Sequence, residues 1–383
     1  MVEVNKDMIR NILTLRYHPQ GETFLPKKTW KDFIEYDGVQ QLIQPTIEGV
    51  IKRIFSELNP KKVGIGISGG VDSSTILCLI RKCFPNIEIN SFCISFGTDK
   101  TEEKDAERAS EIYSTNHKFI QIDNPLEKLE TAVKIVDEPR WNLYTYFLIE
   151  EASKCCDVLF TGDGGDELFG GYVFRYKHMI TSKTQILTHR YLEAHNRDWV
   201  DDQQELFAFP FYWGDIYDIV EPYFKNTLSI IGQTFLADYN GKLLYDFSKT
   251  NLLLARYFGI PLIAPFLEPE VLHIATHIPY RYKYDERHTL GKIILRQILL
   301  ENFGYEPVTK GKVGWGFNAE GIWGECRDLF VKLFKSPRFV KLGLINKYWL
   351  DKGFEKSDTH DIRYLNKMLG LLALELWLKV KGY

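Results

Sequence analysis

Two glycine-rich segments contain most of the residues that could do chemistry. The first, residues 68–74, reads Ser-Gly-Gly-Val-Asp-Ser-Ser and lies between a strand-like run and a helix-like run. Its glycines let backbone N–H groups close around an anion, its serine hydroxyls add donors, and the following helix points its positive end at the same place. Asp72 repels a phosphate, so we expect it to hold a Mg²⁺ ion that bridges phosphate oxygens. The segment therefore predicts a phosphate-binding loop.

A dinucleotide-binding pattern overlaps this loop. Gly64, Gly66 and Gly69 satisfy the spacing G-x-G-x-x-G, and Glu88 follows about 20 residues later, as that fingerprint requires. The fingerprint must follow a strand, however, and the residues before Gly64 include Asn59-Pro60, which ends a helix-like run. Since Gly64 and Gly66 fall inside the only plausible strand, we exclude a dinucleotide site.

The second segment, residues 161–172, reads Thr-Gly-Asp-Gly-Gly-Asp-Glu-Leu-Phe-Gly-Gly-Tyr and follows a buried strand. Surface loops seldom combine such an acidic cluster with an apolar, glycine-rich tail. If both glycine segments lie at the same edge of a sheet, Asp72 and Asp166 can face each other across one metal ion. Asp163 would then lie beside them, where it could act as a base.

The elements that position these segments alternate along the chain. Runs typical of strands and of helices of 10 to 15 residues follow one another, which predicts an α/β fold with a doubly wound parallel sheet. Glycine turns after the strands then lie at the carboxyl edge, where such folds bind ligands. Beyond residue 180 we expect helices and no clear strands. The predicted strands are residues 63–67, 89–96, 118–122 and 157–160, and the predicted helices are residues 46–58, 72–84, 101–115, 125–136 and 142–154.

These patterns also predict a domain organisation. We expect residues 1–45 to be a lead-in segment and residues 46–383 to form one unit, with a nucleotide-binding core over about 46–180 and a helical part over about 181–383.

Composition excludes several classes of protein. The 48 basic and 51 acidic side chains give a net charge of −3 without a basic stripe, so a nucleic-acid partner is not expected. The six cysteines form no C-x-x-C pair, as in a reduced intracellular protein. The charged N-terminus does not resemble a signal peptide, and no apolar stretch is long enough to cross a bilayer. We therefore expect a soluble, cytoplasmic protein.

Both glycine segments, in this order, resemble those of a known family. The chain is similar to the synthetase domain of glutamine-dependent asparagine synthetase, a PP-loop ATP pyrophosphatase with an adenine-nucleotide α-hydrolase-like fold. The likeness extends over nearly the whole chain. Its further motifs are Phe-Cys-Ile-Ser-Phe at 92–96, Asn-His-Lys at 116–118, Asp-Glu-Pro at 137–139, Pro-Phe-Leu-Glu at 265–268, Leu-Gly-Lys-Ile-Ile-Leu-Arg at 290–296, Lys-Gly-Lys-Val-Gly-Trp-Gly-Phe at 310–317 and the segment 15–25.

The resemblance implies an ATP-dependent, AMP-forming amide ligase that uses Mg²⁺. A carboxylate attacks the α-phosphate of ATP, and ammonia then displaces AMP from the acyl-adenylate. It also assigns roles to residues at matching positions. The pyrophosphate would be bound by Ser68, Gly69, Gly70 and Ser73, the Mg²⁺ by Asp72 and Asp166, and the adenosine by Ile94 and Gly162. Lys312 would stabilise the negative charge that develops during the reaction. Lys292 and Tyr172 are further candidates for the same pocket.

The chain departs from the family pattern in three ways. Asp163 replaces the family's active-site glutamate, and residues 261–268 lack a glutamate and an arginine of the corresponding motif. Since the sequence starts without the family's N-terminal cysteine, we also expect no glutaminase segment before the synthetase part. Asparagine synthesis from aspartate is the first reaction we expect, with ammonia or a separate amidotransferase as nitrogen source. The alternatives are a related ligase for another acid or amine, a tRNA-modifying PP-loop enzyme and a non-catalytic ATP-binding regulator. A homodimer is compatible with each.

Overall fold

The computed structural model describes residues 4–96, 101–305 and 319–383. A sheet of five parallel strands, in the order β3-β2-β1-β4-β5, forms its centre, and a small antiparallel hairpin of β6 and β7 lies apart from it. The strands are β1 Lys62–Gly66, β2 Glu88–Phe96, β3 Asn116–Ile122, β4 Val158–Phe160, β5 Leu262–Ile263, β6 Tyr284–Asp285 and β7 Leu290–Gly291.

The two central strands consist of short apolar runs because both faces of the sheet are covered. Val63 and Ile65 in β1 and all three residues of β4 are buried, as expected for a parallel sheet between helical layers. Val63 pairs with Val158 and Ile65 with Phe160. From β1 the chain moves outward through β2 and β3, and then returns to the other side of β1 to form β4. The sheet therefore has its topological switch point between β1 and β4, where folds of this kind bind ligands.

Helices cover the sheet and build the rest of the chain. The described helices are α1 Lys6–Leu15, α2 Ile43–Leu58, α3 Val71–Cys83, α4 Thr101–Ile112, α5 Leu129–Val136, α6 Thr145–Ser153, α7 Gly165–Phe169, α8 Val173–Thr181, α9 Leu187–Glu193, α10 Gln203–Leu206, α11 Trp213–Val220, α12 Ile230–Asp238, α13 Ser248–Phe258, α14 Pro269–His277, α15 Ile293–Phe303, α16 Ala319–Leu333, α17 Arg338–Lys341, α18 Lys347–Asp358 and α19 Ile362–Val380. Helices α2 and α15 pack on α3, whereas α6 contacts β1, β2 and β4. A π-helical stretch, Tyr239–Phe247, joins α12 to α13.

The predicted fold class, a doubly wound parallel sheet with a helical C-terminal half, is confirmed. The four predicted strands and five predicted helices are all present, with ends that differ by a few residues. Helix α2 ends at Asn59, which adopts a left-handed conformation and donates its N–H to Phe55 O, so Asn59-Pro60 does stop this helix. The division into a lead-in segment and one unit from residue 46 stays a prediction.

The expectation of no clear strands beyond residue 180 was wrong. A fifth strand, β5, follows residue 180 and pairs with β4 through Leu159 and Leu262. Its two residues lie between Pro261 and Pro265 and are too few to show an alternating pattern, so only pairing with β4 defines this strand. The N-terminal segment also contains a ten-residue helix, α1, whose N-cap Asn5 accepts a hydrogen bond from the Met8 N–H.

Within the described ranges, no helix combines the length and the apolar character that a membrane span requires.

Candidate active site

The loops after β1 and β4 meet at the switch point of the sheet. Residues 67–70 lead from β1 into α3, and residues 161–164 lead from β4 into α7. A Cβ atom at Gly162 would lie 2.8 Å from the Ser73 backbone nitrogen, and one at Gly165 would lie 2.3 Å from Asp72 Cγ. Contacts this short exclude any side chain at either position. The glycines therefore let the second loop lie directly against the first turn of α3.

A cavity of about 260 Å³ opens between these loops and helices α6 and α13. It brings together most of the residues that the sequence predicted for the site. Its described lining consists of Gly66, Ser68, Gly70, Asp72, Ser73, Tyr144, Thr145, Leu148, Ile149, Thr161, Gly162, Asp163, Gly164, Gly165, Asp166, Glu167, Tyr172, Phe247, Asn251 and Leu262.

Some predicted site residues do not line this cavity. Gly69 has a φ angle of +68°, and a Cβ atom there would lie 2.4 Å from the Asp105 Cβ, so this glycine shapes the loop and packs against α4. Ile94 is buried in β2, opposite Ile120 of β3. Lys312, with the rest of segment 310–317, lies outside the described residues. The functional roles of all predicted site residues remain predictions.

Lys292 joins the two predicted metal-binding carboxylates. Its Nζ atom lies 2.5 Å from Asp72 Oδ2 and also contacts Asp166 Oδ1. Its backbone N–H donates to Phe169 O at 3.0 Å, which anchors the lysine beside α7. Burial by itself would lower the pKa of Lys292, but the two carboxylates outweigh it and raise this pKa. The ammonium group is therefore charged and lies where Asp72 and Asp166 converge.

This arrangement fits a Mg²⁺ ion. Two carboxylate oxygens that touch the same cation are close enough to be ligands of one metal, and oxygen is the ligand type that Mg²⁺ requires. No cluster of three or more His, Cys, Asp or Glu side chains suited to a metal occurs in the part of the chain that the structure describes. Phosphate or water oxygens would have to complete the shell, as is usual where Mg²⁺ accompanies a nucleotide.

Asp163 lines the cavity and contacts helix α13. Its Oδ2 accepts a hydrogen bond of 2.8 Å from Asn251 Nδ2 on α13. Burial raises the pKa of Asp163, the hydrogen bond from Asn251 and the nearby Thr161 hydroxyl oppose this shift, and the negative charge of Asp72 adds to it. The net effect is a raised pKa, which makes Asp163 a stronger base than an exposed aspartate.

Glu167 is a fourth acidic residue of the cavity wall, and its role was not predicted. Its Oε1 accepts a hydrogen bond of 2.5 Å from the Tyr172 hydroxyl. Burial, and secondarily the charge of Asp166, raise the pKa of Glu167 to about 8. The Arg175 guanidinium lies 4.2 Å from the centre of the Tyr172 ring and pairs with Asp238. Tyr172 is therefore held on both sides, and burial favours the protonated form of Glu167.

The wall opposite the glycine loops consists of residues that the sequence did not point to. Tyr144, Thr145 and Leu148 come from α6 and the residue before it, Phe247 ends the π-helical stretch, and Asn251 lies near the start of α13. None of them belongs to a glycine-rich or acidic motif. Their positions depend on packing between elements about 100 residues apart, and a local sequence pattern does not reveal this.

Known proteins confirm the resemblance noted in the sequence. The family model for asparagine synthase matches residues 59–379. The chain belongs to the asparagine synthase family. Its relatives include a putative glutamine-hydrolysing asparagine synthetase 2 from Methanocaldococcus jannaschii, 32% identical over 116 residues that cover 29% of this chain and 22% of that protein. Another is the glutamine-hydrolysing asparagine synthetase 1 of Bacillus subtilis, 31% identical over 201 residues that cover 45% and 32% of the two chains.

The chain thus spans less than a third of the length of these asparagine synthetases. Solved structures are more remote. The NH3-dependent NAD synthetase of Campylobacter jejuni has a TM-score of 0.27 at 16% identity, over 34% of this chain and 60% of that chain. The U34-tRNA thiolase of Methanococcus maripaludis has a TM-score of 0.30 at 15% identity, over 83% and 78%. At such TM-scores these two structures have no bearing on the function of this member of the asparagine synthase family.

Proposed function

We propose that this chain is an ATP-dependent, AMP-forming amide ligase, and hence a carbon–nitrogen ligase. The observation that supports this most directly is the convergence of Asp72, Asp166 and Lys292 beside the Ser68–Ser73 loop at the switch point of the sheet. A nucleoside triphosphate requires a phosphate-binding loop next to a pair of carboxylates that can hold its cation. Membership of the asparagine synthase family supports the same reaction.

The glycine loop and the acidic pair bind the nucleotide in this proposal. Backbone N–H groups of residues 68–70 and the hydroxyl of Ser73 donate hydrogen bonds to the pyrophosphate. Asp72 and Asp166 would hold Mg²⁺, which would supply positive charge to neutralise the phosphate oxygens. Gly162 lies against Ser73, and with Ile94 it is assigned to the adenosine by the family pattern. Tyr172 closes the cavity beside Glu167.

Adenylation comes first. A carboxylate oxygen of the substrate attacks the α-phosphorus of ATP, the bond from that phosphorus to the bridging oxygen breaks, and pyrophosphate leaves. Negative charge develops on the α-phosphate and on the leaving group. Fixed cations stabilise such charge best where water is excluded. Lys292 provides one cation in the described part of the site, and Lys312 is the second by its position in the family motif.

Amide formation follows. The nitrogen of ammonia attacks the acyl carbon of the adenylate, AMP leaves with the bridging oxygen, and the nitrogen loses a proton. Asp163 is the proposed acceptor of this proton, because it lines the cavity and has a raised pKa. A raised pKa makes a carboxylate a more effective proton acceptor.

Aspartate is the acid that we propose first, because the curated relatives are named asparagine synthetases. One observation favours a second candidate, a related ligase for another carboxylic acid. The ionisable carboxyl groups of the described lining are not balanced by any lysine or arginine among the described lining residues, and Lys249, on helix α13, is paired with Glu138 at 2.6 Å. An acid without a second carboxylate would therefore meet less electrostatic repulsion from the described lining residues than a dicarboxylate.

A pyrophosphate-release screen tests the reaction and the substrate together. Carboxylic acids, aspartate among them, are each supplied with MgATP and ammonium, and the pyrophosphate released is measured. In parallel, MgATP binding is measured as a change in the free energy of unfolding. Saturation at about 100 times Kd is worth about 2.7 kcal/mol. Asp72→Ala should lose the Mg²⁺-dependent part, while Asp351→Ala, on the exposed face of α18, is the control and should keep it. Wild-type protein that MgATP does not stabilise would contradict the proposal.

A further inference from the structure

Asn251 is an almost fully buried polar residue at the start of α13, and its amide faces the cavity. It joins two cavity residues from different elements. Its Nδ2 donates to Asp163 Oδ2 at 2.8 Å, and its Oδ1 accepts from the Thr145 hydroxyl at 2.8 Å. Thr145 is the first residue of α6 and also lines the cavity. The three side chains form a continuous hydrogen-bonded chain across the site.

The carboxylate of Asp163 determines which end of the Asn251 amide faces it. A side-chain amide has an acceptor end and a donor end, and a carboxylate can only accept. The Nδ2 group therefore faces Asp163, and the Thr145 hydroxyl, which can donate or accept, donates to the remaining Oδ1 and holds the amide in this orientation. Anchors on two separate helices therefore fix the side chain of Asp163 from the side opposite its own loop.

The chemistry of the donor also matters. A lysine or arginine in place of Asn251 would hold the carboxylate equally well, but its positive charge would make Asp163 a much weaker base. A neutral amide fixes the orientation with a smaller loss of basicity. The other groups that act on Asp163 are the nearby Thr161 hydroxyl and the carboxylate of Asp72.

We propose that Thr145 and Asn251 are positioning residues that hold Asp163 in the orientation needed to take the proton from the incoming amine. This inference rests on the proposed amide ligase. It assigns Thr145 and Asn251 to the second half-reaction, because adenylation is complete before Asp163 acts.

The test compares two rates in the same preparations: acid-dependent ATP–pyrophosphate exchange, which reports adenylation, and amide formation. Asn251→Leu and Thr145→Val remove the hydrogen bonds with little change of volume, whereas Thr145→Ser retains the hydroxyl. Thr250→Val is the matched control, because Thr250 is buried on the same helix and its hydroxyl donates to Asp246 O of its own helical turn. Thermal unfolding of each variant shows whether it folds.

We expect Asn251→Leu to lower the ratio of amide formation to exchange by about 10²-fold, the effect of a misplaced catalytic group. Thr145→Val should lower it by about tenfold, because it removes the orienting hydrogen bond and leaves the amide itself. Thr145→Ser and Thr250→Val should keep the wild-type ratio. If Asn251→Leu does not fold, the comparison of Thr145→Val with Thr145→Ser decides.

A wild-type ratio in both Asn251→Leu and Thr145→Val would overturn the positioning role and leave the amide ligase intact. Equal losses of exchange and amide formation would do the same, since a general distortion of the site predicts them. Wild-type protein without any acid-dependent exchange would overturn the amide ligase, and the positioning role with it.

Discussion

Replacing Lys292 by methionine tests the proposed cation site without any need for substrate. The substitution keeps an unbranched side chain of similar length and removes only the charge. Lys292 has 6% of its side chain exposed, and its partners Asp72 and Asp166 have 15% and 29% exposed. Two carboxylates would then face each other with little access to water.

The size of the effect follows from this geometry. Both carboxylate oxygens contact the same Lys292 nitrogen, so they lie no more than about 5 Å apart, and at an effective dielectric constant of about 20 their repulsion is roughly 3 kcal/mol. Removing one partner of a buried ion pair typically costs about 3–5 kcal/mol. We therefore expect Lys292→Met to lower the free energy of unfolding by about 3 kcal/mol at pH 7.

The pH dependence gives the sign of this effect. Without the ammonium, the repulsion raises the pKa of one carboxyl above its value in the unfolded chain, near 3.9. A carboxyl with a raised folded-state pKa destabilises the protein fully above that pKa, and the cost disappears as the pH falls below the unfolded value. The difference between variant and wild type should therefore shrink from pH 7 to pH 4.

Urea denaturation with and without Mg²⁺ measures both expectations. Mg²⁺ should stabilise Lys292→Met more than wild type, because it replaces the missing positive charge. Lys62→Met is the control: Lys62 pairs with Glu88 on the surface at 3.4 Å, and such a pair contributes less than about 1 kcal/mol. If Lys292→Met matches the control, or if Mg²⁺ stabilises variant and wild type equally, the convergence of Asp72 and Asp166 on one cation site is wrong.

Three further predictions concern the proton acceptor, a buried lysine and the nitrogen source. Asp163→Asn should keep acid-dependent ATP–pyrophosphate exchange and lower amide formation by about 10²–10⁴-fold. Lys312→Ala should slow both reactions. Amide formation by Asp163→Asn at the wild-type rate would disprove the role of Asp163. Burial lowers the pKa of Lys283 to about 7, so the unfolded chain binds more protons than the folded protein between pH 7 and 10. The free energy of unfolding should therefore rise with pH by up to about 1.4 kcal/mol per pH unit. Urea denaturation at pH 7, 8 and 9 measures this slope; Lys283→Met should reduce it, and an unchanged slope would contradict the prediction. The chain should use ammonium and not glutamine, because none of its six cysteines is among the described lining residues of the cavity. Release of glutamate from glutamine by the purified chain would refute this.

The parts of the site that the sequence predicted are those that local backbone geometry encodes. Gly162 and Gly165 are required because a Cβ atom at either position would lie within 3 Å of the first turn of α3, and a constraint of this kind leaves glycines at fixed spacings. The central strands were predictable for a similar reason, since burial on both faces leaves short apolar runs. Strand β5 was not, because it has only two residues and depends on pairing with β4.

The residues proposed to orient Asp163 lie outside every motif for a physical reason. Asn251 is 88 residues from Asp163, and Thr145 is 106 residues from Asn251. A single asparagine or threonine near the start of a helix is also common on protein surfaces, where its side chain hydrogen-bonds to water or to the helix end. The structure shows the opposite for Asn251, which is 6% exposed and holds a carboxylate on one side and a hydroxyl on the other. Nucleotide binding requires backbone shapes that a motif can record, whereas orienting one carboxylate requires only two neutral side chains from distant helices. Substitutions that alter the amine step should therefore be sought on α6 and α13, where no motif marks them.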